Sequence, residues 1–536
     1  MKTVIKSILI VGGGSSGWMA ASAFYHRLGK DCKISLLESD TIPTVGVGES
    51  TIIGFKRFVK LLGLKDEEWM KECNATYKTS IKFINFRENP VGEMDGHVFH
   101  YPFGIFDFTD KPRGLMYWFI HRARNPNINP NNFGEFFHDS VLMTDRNKLT
   151  KNEVHSLRGF DLAADTAYHM DAGLFGNFLR DKICLPAGME HLKANVTGYK
   201  KNEDGSIKCV ETDSLGEIHA DLFIDCTGFK SLLLEQAMGV PFESFSNHLH
   251  NDRAIATVIP YIDKDKEMEC VTSCTAIDAG WVWNIPLWNR IGTGYVYSSK
   301  FATEEEAEEH FRRHLKSKNM VIQDENRANE AVFKHIKIKH GVHQRAWEKN
   351  VVGIGLSNGF IEPLESTGLM LTHEGIMKMV HTLKMRGGNV TKYDIDMFNF
   401  AFHEQITGFR NFIAQHYALS MRDDTPYWKH VTETTYLENM VNHQFSLVDN
   451  FEDVARRIHR FNVFGNDMSG IVYIAAGMGY NPLYSRKVDW LDRKYLEPAN
   501  YDDEVYRTWE SHKKEALEKI EKMQTHYEFL KNTIYK

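Results

Sequence analysis

The stretch Ile8-Leu9-Ile10-Val11-Gly12-Gly13-Gly14-Ser15-Ser16-Gly17-Trp18 decides the fold of this 536-residue chain. Its four leading apolar residues read as a short buried strand. Trp18 to Leu28, carrying Met19, Ala20, Ala21 and Ala23, reads as a helix, and Lys33 to Glu38 as a second strand. Strand, glycine turn, helix and strand in that order form the βαβ opening of a doubly wound α/β domain. The turn has the spacing Gly12-x-Gly14-x-x-Gly17. In that context Gly12 permits the tight turn, Gly14 lets backbone N–H groups approach a pyrophosphate, and Gly17 lets helix and strand pack closely. Ser15 and Ser16 lie in the turn ahead of the helix, whose positive end then faces the phosphates. Glu38 ends the second strand, where a carboxylate accepts hydrogen bonds from ribose hydroxyls and disfavours a 2′-phosphate. A tight turn with no ligand is the plainer alternative, and the strand and helix flanking the glycines weigh against it.

Working outward, two later strand runs complete the core. Leu222-Phe223-Ile224 leads into Asp225-Cys226-Thr227-Gly228. Val351-Val352-Gly353-Ile354-Gly355 leads through a Ser-Asn-Gly turn to Phe360. Their distance in sequence implies a nucleotide-binding core interrupted by insertions. The fold class is therefore α/β, with a Rossmann-like core, an inserted β-rich layer and a mainly helical C-terminal part. Core and insertions are expected over 1–385, with the substrate side at about 90–150 and 240–345. A mainly helical, substrate-covering region is expected over 386–536, ending in a charged helical stretch from Glu510 to Tyr535. Trp281 to Tyr297 alternates like two half-buried strands around a turn.

Bulk properties narrow the function. Apolar residues make up 42% and charged residues 25%, as in ordinary globular proteins. The net charge of -7 is dispersed and offers no basic footprint for nucleic acid. The acidic run Glu304-Glu305-Glu306 with Glu308 and Glu309 reads as a solvated helix face. Seven cysteines are scattered irregularly, which fits a reducing cytoplasm and small core residues. Cys270 and Cys274 lack a second pair in metal-ligand order, so no metal is expected. The apolar run Ile8 to Val11 is too short for a signal peptide, and no stretch is long enough to span a membrane.

The turn Asp225-Cys226-Thr227-Gly228 looks like the second dinucleotide-contacting turn of FAD monooxygenases. The stretch Gly46-Val47-Gly48-Glu49-Ser50-Thr51 can wrap a flavin, so FAD is favoured over NAD, with Gly48, Glu49, Ser50 and Thr51 as further cofactor-binding candidates. Four motifs then carry a resemblance that covers residue 1 to about 385, with echoes to about 482. They are Trp281-Val282-Trp283-Asn284-Ile285-Pro286, Thr76-Tyr77-Lys78-Thr79-Ser80, Phe360-Ile361-Glu362-Pro363-Leu364-Glu365-Ser366-Thr367-Gly368, and the Gly46 to Thr51 strap. Together the chain resembles the flavin-dependent halogenases typified by the tryptophan halogenases.

The resemblance implies a role for each motif. Lys78 stands where the family has its catalytic lysine, and Glu365 where it has the partner glutamate. Thr367 and Gly368 match the residues whose backbone N–H groups hold the halide, at the start of a helix expected from Leu369 onward. Trp281, Trp283, Ile285 and Pro286 form the signature thought to keep the flavin site from running as an NADPH-fed monooxygenase. His100 and Phe103, in His100-Tyr101-Pro102-Phe103-Gly104, match the segment that sandwiches an aromatic substrate. Plainer readings stand beside these: most lysines are solvated, tryptophans pack in cores, and a glutamate at a helix start is stabilised by the macrodipole.

The resemblance further implies reduced FAD from a separate flavin reductase, dioxygen, and a halide turned into hypohalous acid that Lys78 delivers to an electron-rich aromatic ring. Adjacent tyrosines that grip free tryptophan in some members are missing; Tyr393, Tyr417, Tyr427 and Tyr436 each stand alone. Indoles, phenols or similar rings are therefore expected rather than free tryptophan. Weaker echoes are Asn251-Asp252-Arg253-Ala254, Tyr168-His169-Met170-Asp171 and Gly477-Met478-Gly479-Tyr480-Asn481-Pro482. Two rivals remain open: an FAD aromatic hydroxylase, whose usual Gly-Asp motif is replaced by Gly355-Leu356-Ser357-Asn358, and a non-catalytic flavin-binding protein. Halide choice, natural substrate and self-association are left open by the sequence.

Overall fold

The structure, a computed structural model, describes residues 4–41, 48–90, 97–104, 118–119, 121–122, 125, 127–154, 156–317, 324–435, 469–480 and 504–536. Gly46, Val47, Tyr436, Asn481 and Pro482 lie outside the described residues. The chain forms two compact units, each assembled from three segments. One comprises Met1–Ala75, His169–Ser246 and Ile338–Arg410; the other comprises Thr76–Tyr168, Asn247–Lys337 and Asn411–Lys536.

The first unit is built on the sheet that the glycine motif announces. Strand β1 (Ser7–Val11), helix α1 (Ser15–Leu28) and strand β2 (Lys33–Glu38) follow one another as expected. β1 pairs in parallel with β2 and with the strand Leu222–Asp225, which pairs in parallel with Val351–Gly353. Glu190–Lys193 extends the sheet beyond β2, and Trp347–Glu348 closes the other edge antiparallel. Parallel strands buried on both faces read as continuous apolar runs, which is why Ile8 to Val11 shows no alternation. All four of those side chains are buried. Helix α1 carries Trp18, Met19, Ala20, Ala21 and Phe24 into the core. Its small residues let the helix Gly368–Arg386 pack alongside.

The second unit is organised by a seven-stranded sheet. Its order is Lys334–Lys337, Arg253–Ile259, Ile291–Tyr297, Gly280–Pro286, Val271–Ile277, Ser80–Ile84 and Val98–Pro102. The pair Gly280–Pro286 and Ile291–Tyr297 is the hairpin expected from the sequence. It differs in burial. Nearly every position is covered on both faces, because the strands lie inside the sheet rather than on a solvated side. Trp283 gains room by facing Gly294 in register, where any side chain would collide with its ring.

Beyond residue 386 the described regular elements are helices: Lys392–Ala418, Pro426–Thr434, Ser469–Gly477, Glu504–Ile520 and His526–Thr533. The helical stretch expected from Glu510 to Tyr535 consists of two helices, Glu504–Ile520 and His526–Thr533. Thr525 and Glu528 form a reciprocal capping box that starts a new helix and ends the first. No helix among the described residues is long and apolar enough to cross a membrane.

Candidate active site

In the first unit, the glycine turn is shaped as a pyrophosphate cradle. Gly12 has φ +114°, and a side chain there would meet the Cys226 carbonyl; one on Gly17 would meet the Gly12 carbonyl. These two glycines are required by close packing of backbone on backbone. Gly14 is different. A side chain at Gly14 would meet nothing within 4 Å, no side chain caps the helix behind it, and no acidic residue occupies the first turn. An open, uncapped helix N-terminus is an anion site. Ser15 donates its hydroxyl to the Ala172 carbonyl at 2.9 Å, fixing the first turn. Ser16 lies against Gly355. Glu38 is held at the end of β2 by His191, whose Nε2 is 2.7 Å from Glu38 Oε1. The residues present fit a dinucleotide. Asp225, by contrast, is spent internally: its carboxylate accepts from Thr227 and from the N–H groups of Leu233 and Leu234. It shapes the second turn rather than reaching out of it.

The segment Glu362 to Gly368 forms a second open helix start in the same unit. Pro363–Glu365 is one turn of 3-10 helix, Ser366 is left-handed at φ 57°, and Thr367 returns to φ -85°. A left-handed residue followed by a right-handed one turns successive N–H groups to one side, forming a nest. Ser366 donates its N–H to the Pro363 carbonyl. The N–H groups of Thr367 and Gly368 meet no partner among the described residues, and Thr367 Oγ1 is buried without one. The helix Gly368–Arg386 adds its positive end at the same point. Over Gly368 the space is open; the one atom within 4 Å of a side chain's first carbon is Glu49 Oε2, at 4.0 Å. Glu365 is buried at the end of the 3-10 turn, 2% exposed. The strand Gly48–Ser50 is latched to this turn, since Ser366 Oγ donates to Ser50 Oγ at 3.0 Å. It is also paired antiparallel with the strand residues His169 to Asp171. Gly48, Glu49, Ser50, Ser366, Thr367 and Gly368 are thus brought together. Thr51 follows them, buried.

In the second unit, Lys78 ends the strand Thr76–Lys78 and is fully buried, at 0% exposure. Its Nζ lies 5.1 Å from the centre of the Phe103 ring. A lysine buried against an aromatic face is not the solvated residue that base rates favour. Thr76 anchors this strand to the tryptophan segment by donating to the Pro286 carbonyl at 2.6 Å. Thr79 is held by Thr144 and the Cys270 carbonyl. Trp281 is fully buried, Trp283 partly, with ring centres 6.2 Å apart. Ile285 and Pro286 are buried at the end of the same strand. His100 has both nitrogens engaged, with Ser80 Oγ at 2.8 Å and Asp145 Oδ1 at 3.0 Å, so its ring is fixed in place.

Sequence reasoning missed several groups that shape these sites. His191 holds Glu38 from 153 positions away, and no local pattern could announce it. Ser366 was visible within a quoted motif, but its left-handed backbone was not. Tyr417 and Tyr427 do not stand ready to grip a substrate. Both hydroxyls are bound to the buried Asn251 side chain, each at 2.9 Å. Tyr393 is 66% exposed on a helix of the first unit. Among the described residues, Cys209, Glu217 and His219 bring potential ligand atoms within 4.8 Å of one another, and Lys200 is already paired with Glu217 there.

Similarity to known proteins agrees with this arrangement. The sequence matches the tryptophan halogenase family over residues 7–492. The tryptophan 6-halogenase ThaL of Streptomyces albogriseolus is 36% identical over 467 residues, which cover 84% of this chain and 82% of ThaL. Among solved structures, apo VirX1 is 43% identical with a TM-score of 0.87, and 99% of both chains are covered. The tryptophan 6-halogenase SttH of Streptomyces toxytricini is 31% identical with a TM-score of 0.80, over 98% of this chain and 99% of SttH.

Proposed function

The chain belongs to the tryptophan halogenase family, and from that premise we propose that it installs a halogen on an electron-rich aromatic ring of the indole or phenol kind, using Lys78 and Glu365. It is a flavin-dependent halogenase that takes reduced FAD from a separate reductase. Reduced FAD, when bound, supplies with dioxygen the oxidising equivalents that turn halide into hypohalous acid. Gly12, Gly14, Ser15, Ser16 and Gly17 would hold its pyrophosphate, with Glu38 at the ribose and the strand Gly48 to Thr51 over the ring system.

The residues of the chain do the rest. The N–H groups of Thr367 and Gly368 hold halide, and the open space above Gly368 leaves room for it. Lys78 donates a hydrogen bond to the hypohalous acid and so fixes where the halogen meets the ring; its burial keeps water from competing. Phe103 forms an apolar wall beside that nitrogen. Glu365 accepts the proton that leaves the ring carbon. The Trp281 to Pro286 strand, tied to the lysine strand through Thr76, keeps the lysine in position.

The single observation that carries the reading is the turn at Ser366 to Gly368. Two unpartnered N–H groups and a buried orphan hydroxyl at a helix start suit a small anion such as halide. The test supplies the protein with FAD, a flavin reductase, NADH, oxygen and bromide over a panel of indoles and phenols, and reads products by mass. Brominated product that disappears when bromide is withheld is expected. Hydroxylated product formed without halide would assign the chain to the hydroxylases instead.

A further inference from the structure

Glu49 is an odd residue to find over an anion site. It lies in the strand Gly48–Ser50, opposite Met170, and its Oε2 looks across the open space above Gly368 at 4.0 Å. Among the described residues it makes no hydrogen bond or ion pair. Burial pushes its carboxyl from the ordinary 4.5 up to about 7, and no neighbouring charge contributes. Several other titratable groups stand on the surrounding elements, among them Lys378, which lies beside Glu374. Asp171 caps Leu174, and Arg57 pairs with Glu374 at 2.7 Å. His373 is kept neutral, pushed down to about 3 by burial and then by Arg57. His169 is paired with Ser50 and so lies on the opposite face of the strand from Glu49. Glu365 is buried at the end of the turn that precedes Ser366.

We propose that the protonation of Glu49 sets the affinity of this helix start for halide: the neutral carboxyl admits the anion, and the ionised carboxylate excludes it. The inference rests on the assignment of halide to Thr367 and Gly368. Two anions facing each other across so short a gap repel, whereas a neutral carboxyl does not. The chain then binds halide and a proton together. Only the protonated fraction is competent, so the apparent dissociation constant grows as that fraction shrinks.

The test uses the full chain and chloride itself as the probe, followed by calorimetry or by the 35Cl line width, at pH 6 and pH 8. In the unmodified chain, affinity is expected to fall roughly tenfold between these pH values, since the protonated fraction falls by about that factor. Glu49→Gln, neutral at both, is expected to keep the low-pH affinity throughout. An unmodified chain whose affinity holds from pH 6 to pH 8 overturns the inference and leaves the halide site standing. A Glu49→Gln chain that keeps the full pH dependence does the same. A Gly368→Ala chain that binds chloride as tightly as the unmodified one overturns the site itself, and the inference with it.

Discussion

Replacing Gly368 by alanine separates the fold of the helix start from its use. A methyl group there meets no packed neighbour: the nearest atom outside the local backbone is Glu49 Oε2, at 4.0 Å. Gly368 has no positive φ, so alanine is not strained. It begins a 19-residue helix, where alanine is the better helix former by at most about 1 kcal/mol. The variant is therefore expected to melt within a few degrees of the parent and to bind FAD normally.

Halide binding should respond quite differently. The methyl fills the space that the anion needs and pushes it away from the N–H groups of Thr367 and Gly368. A hydrogen bond to a charged group contributes about 1.5–3 kcal/mol, so losing two costs about 3–6 kcal/mol. At 1.4 kcal/mol per factor of ten, halide affinity should fall on the order of 10²- to 10⁴-fold. The assay is bromide saturation of product formation with saturating reductase and indole, beside a thermal melt and an FAD titration. A Gly368→Ala chain with an unchanged bromide KM would refute the reasoning. So would one that loses FAD or its fold, because the open space over residue 368 would then have another purpose.

Other perturbations probe the remaining parts. Gly12→Ala combines a positive φ of +114° with a collision at the Cys226 carbonyl, so it should cost about 1–3 kcal/mol or more and abolish FAD binding, read by denaturant melts and flavin retention. Lys78→Ala should abolish halogenated product while reduced flavin is still consumed; product at the parent rate would remove Lys78 from the chemistry. Glu365→Gln should slow turnover by about 10²- to 10⁴-fold, as expected for loss of a general base, and an unchanged rate would leave only its helix-start charge as a role. The pH dependence of stability has a definite sign at Glu49. Its folded value near 7 lies above the ordinary 4.5, so between these values the folded chain holds a proton that the unfolded chain has lost. Stability contributed by this group is thus lost as pH rises through that window. Glu49→Gln should flatten the slope of melting temperature against pH between 5 and 8, and a slope identical to the parent's would sink this reading.

How much of this was legible in the sequence depends on whether the determining contact is local. The βαβ opening was readable because strand, turn and helix follow each other within 31 residues, although the contact that demands Gly12 comes from Cys226, far along the chain. The hairpin of Trp281 to Tyr297 was readable for the same reason, but its burial was not. Alternation reports one solvated face, and these strands acquire covers on both faces from segments far away in sequence. The helical character of the C-terminal stretch was readable, but not its division into two helices, which the capping box of Thr525 and Glu528 marks. The site followed the same division. Lys78, Glu365, Thr367 and Gly368 were singled out by motif as candidates, but no motif states that a lysine is fully buried or that a serine is left-handed.

The Ser366 backbone shows why that second layer matters for function. A left-handed non-glycine residue costs roughly 1–2 kcal/mol, and the chain keeps serine there rather than glycine. The hydroxyl explains the choice, since it latches the turn to Ser50 on the strand that also carries Glu49. Glycine would relieve the backbone and lose the latch. One residue thereby turns the N–H groups of Thr367 and Gly368 to one side and ties them to the strand that carries Glu49. Ser366→Gly should accordingly raise stability slightly and weaken halide binding, a combination that a purely structural serine would not produce, and unchanged binding in that variant would break the link between the latch and the site.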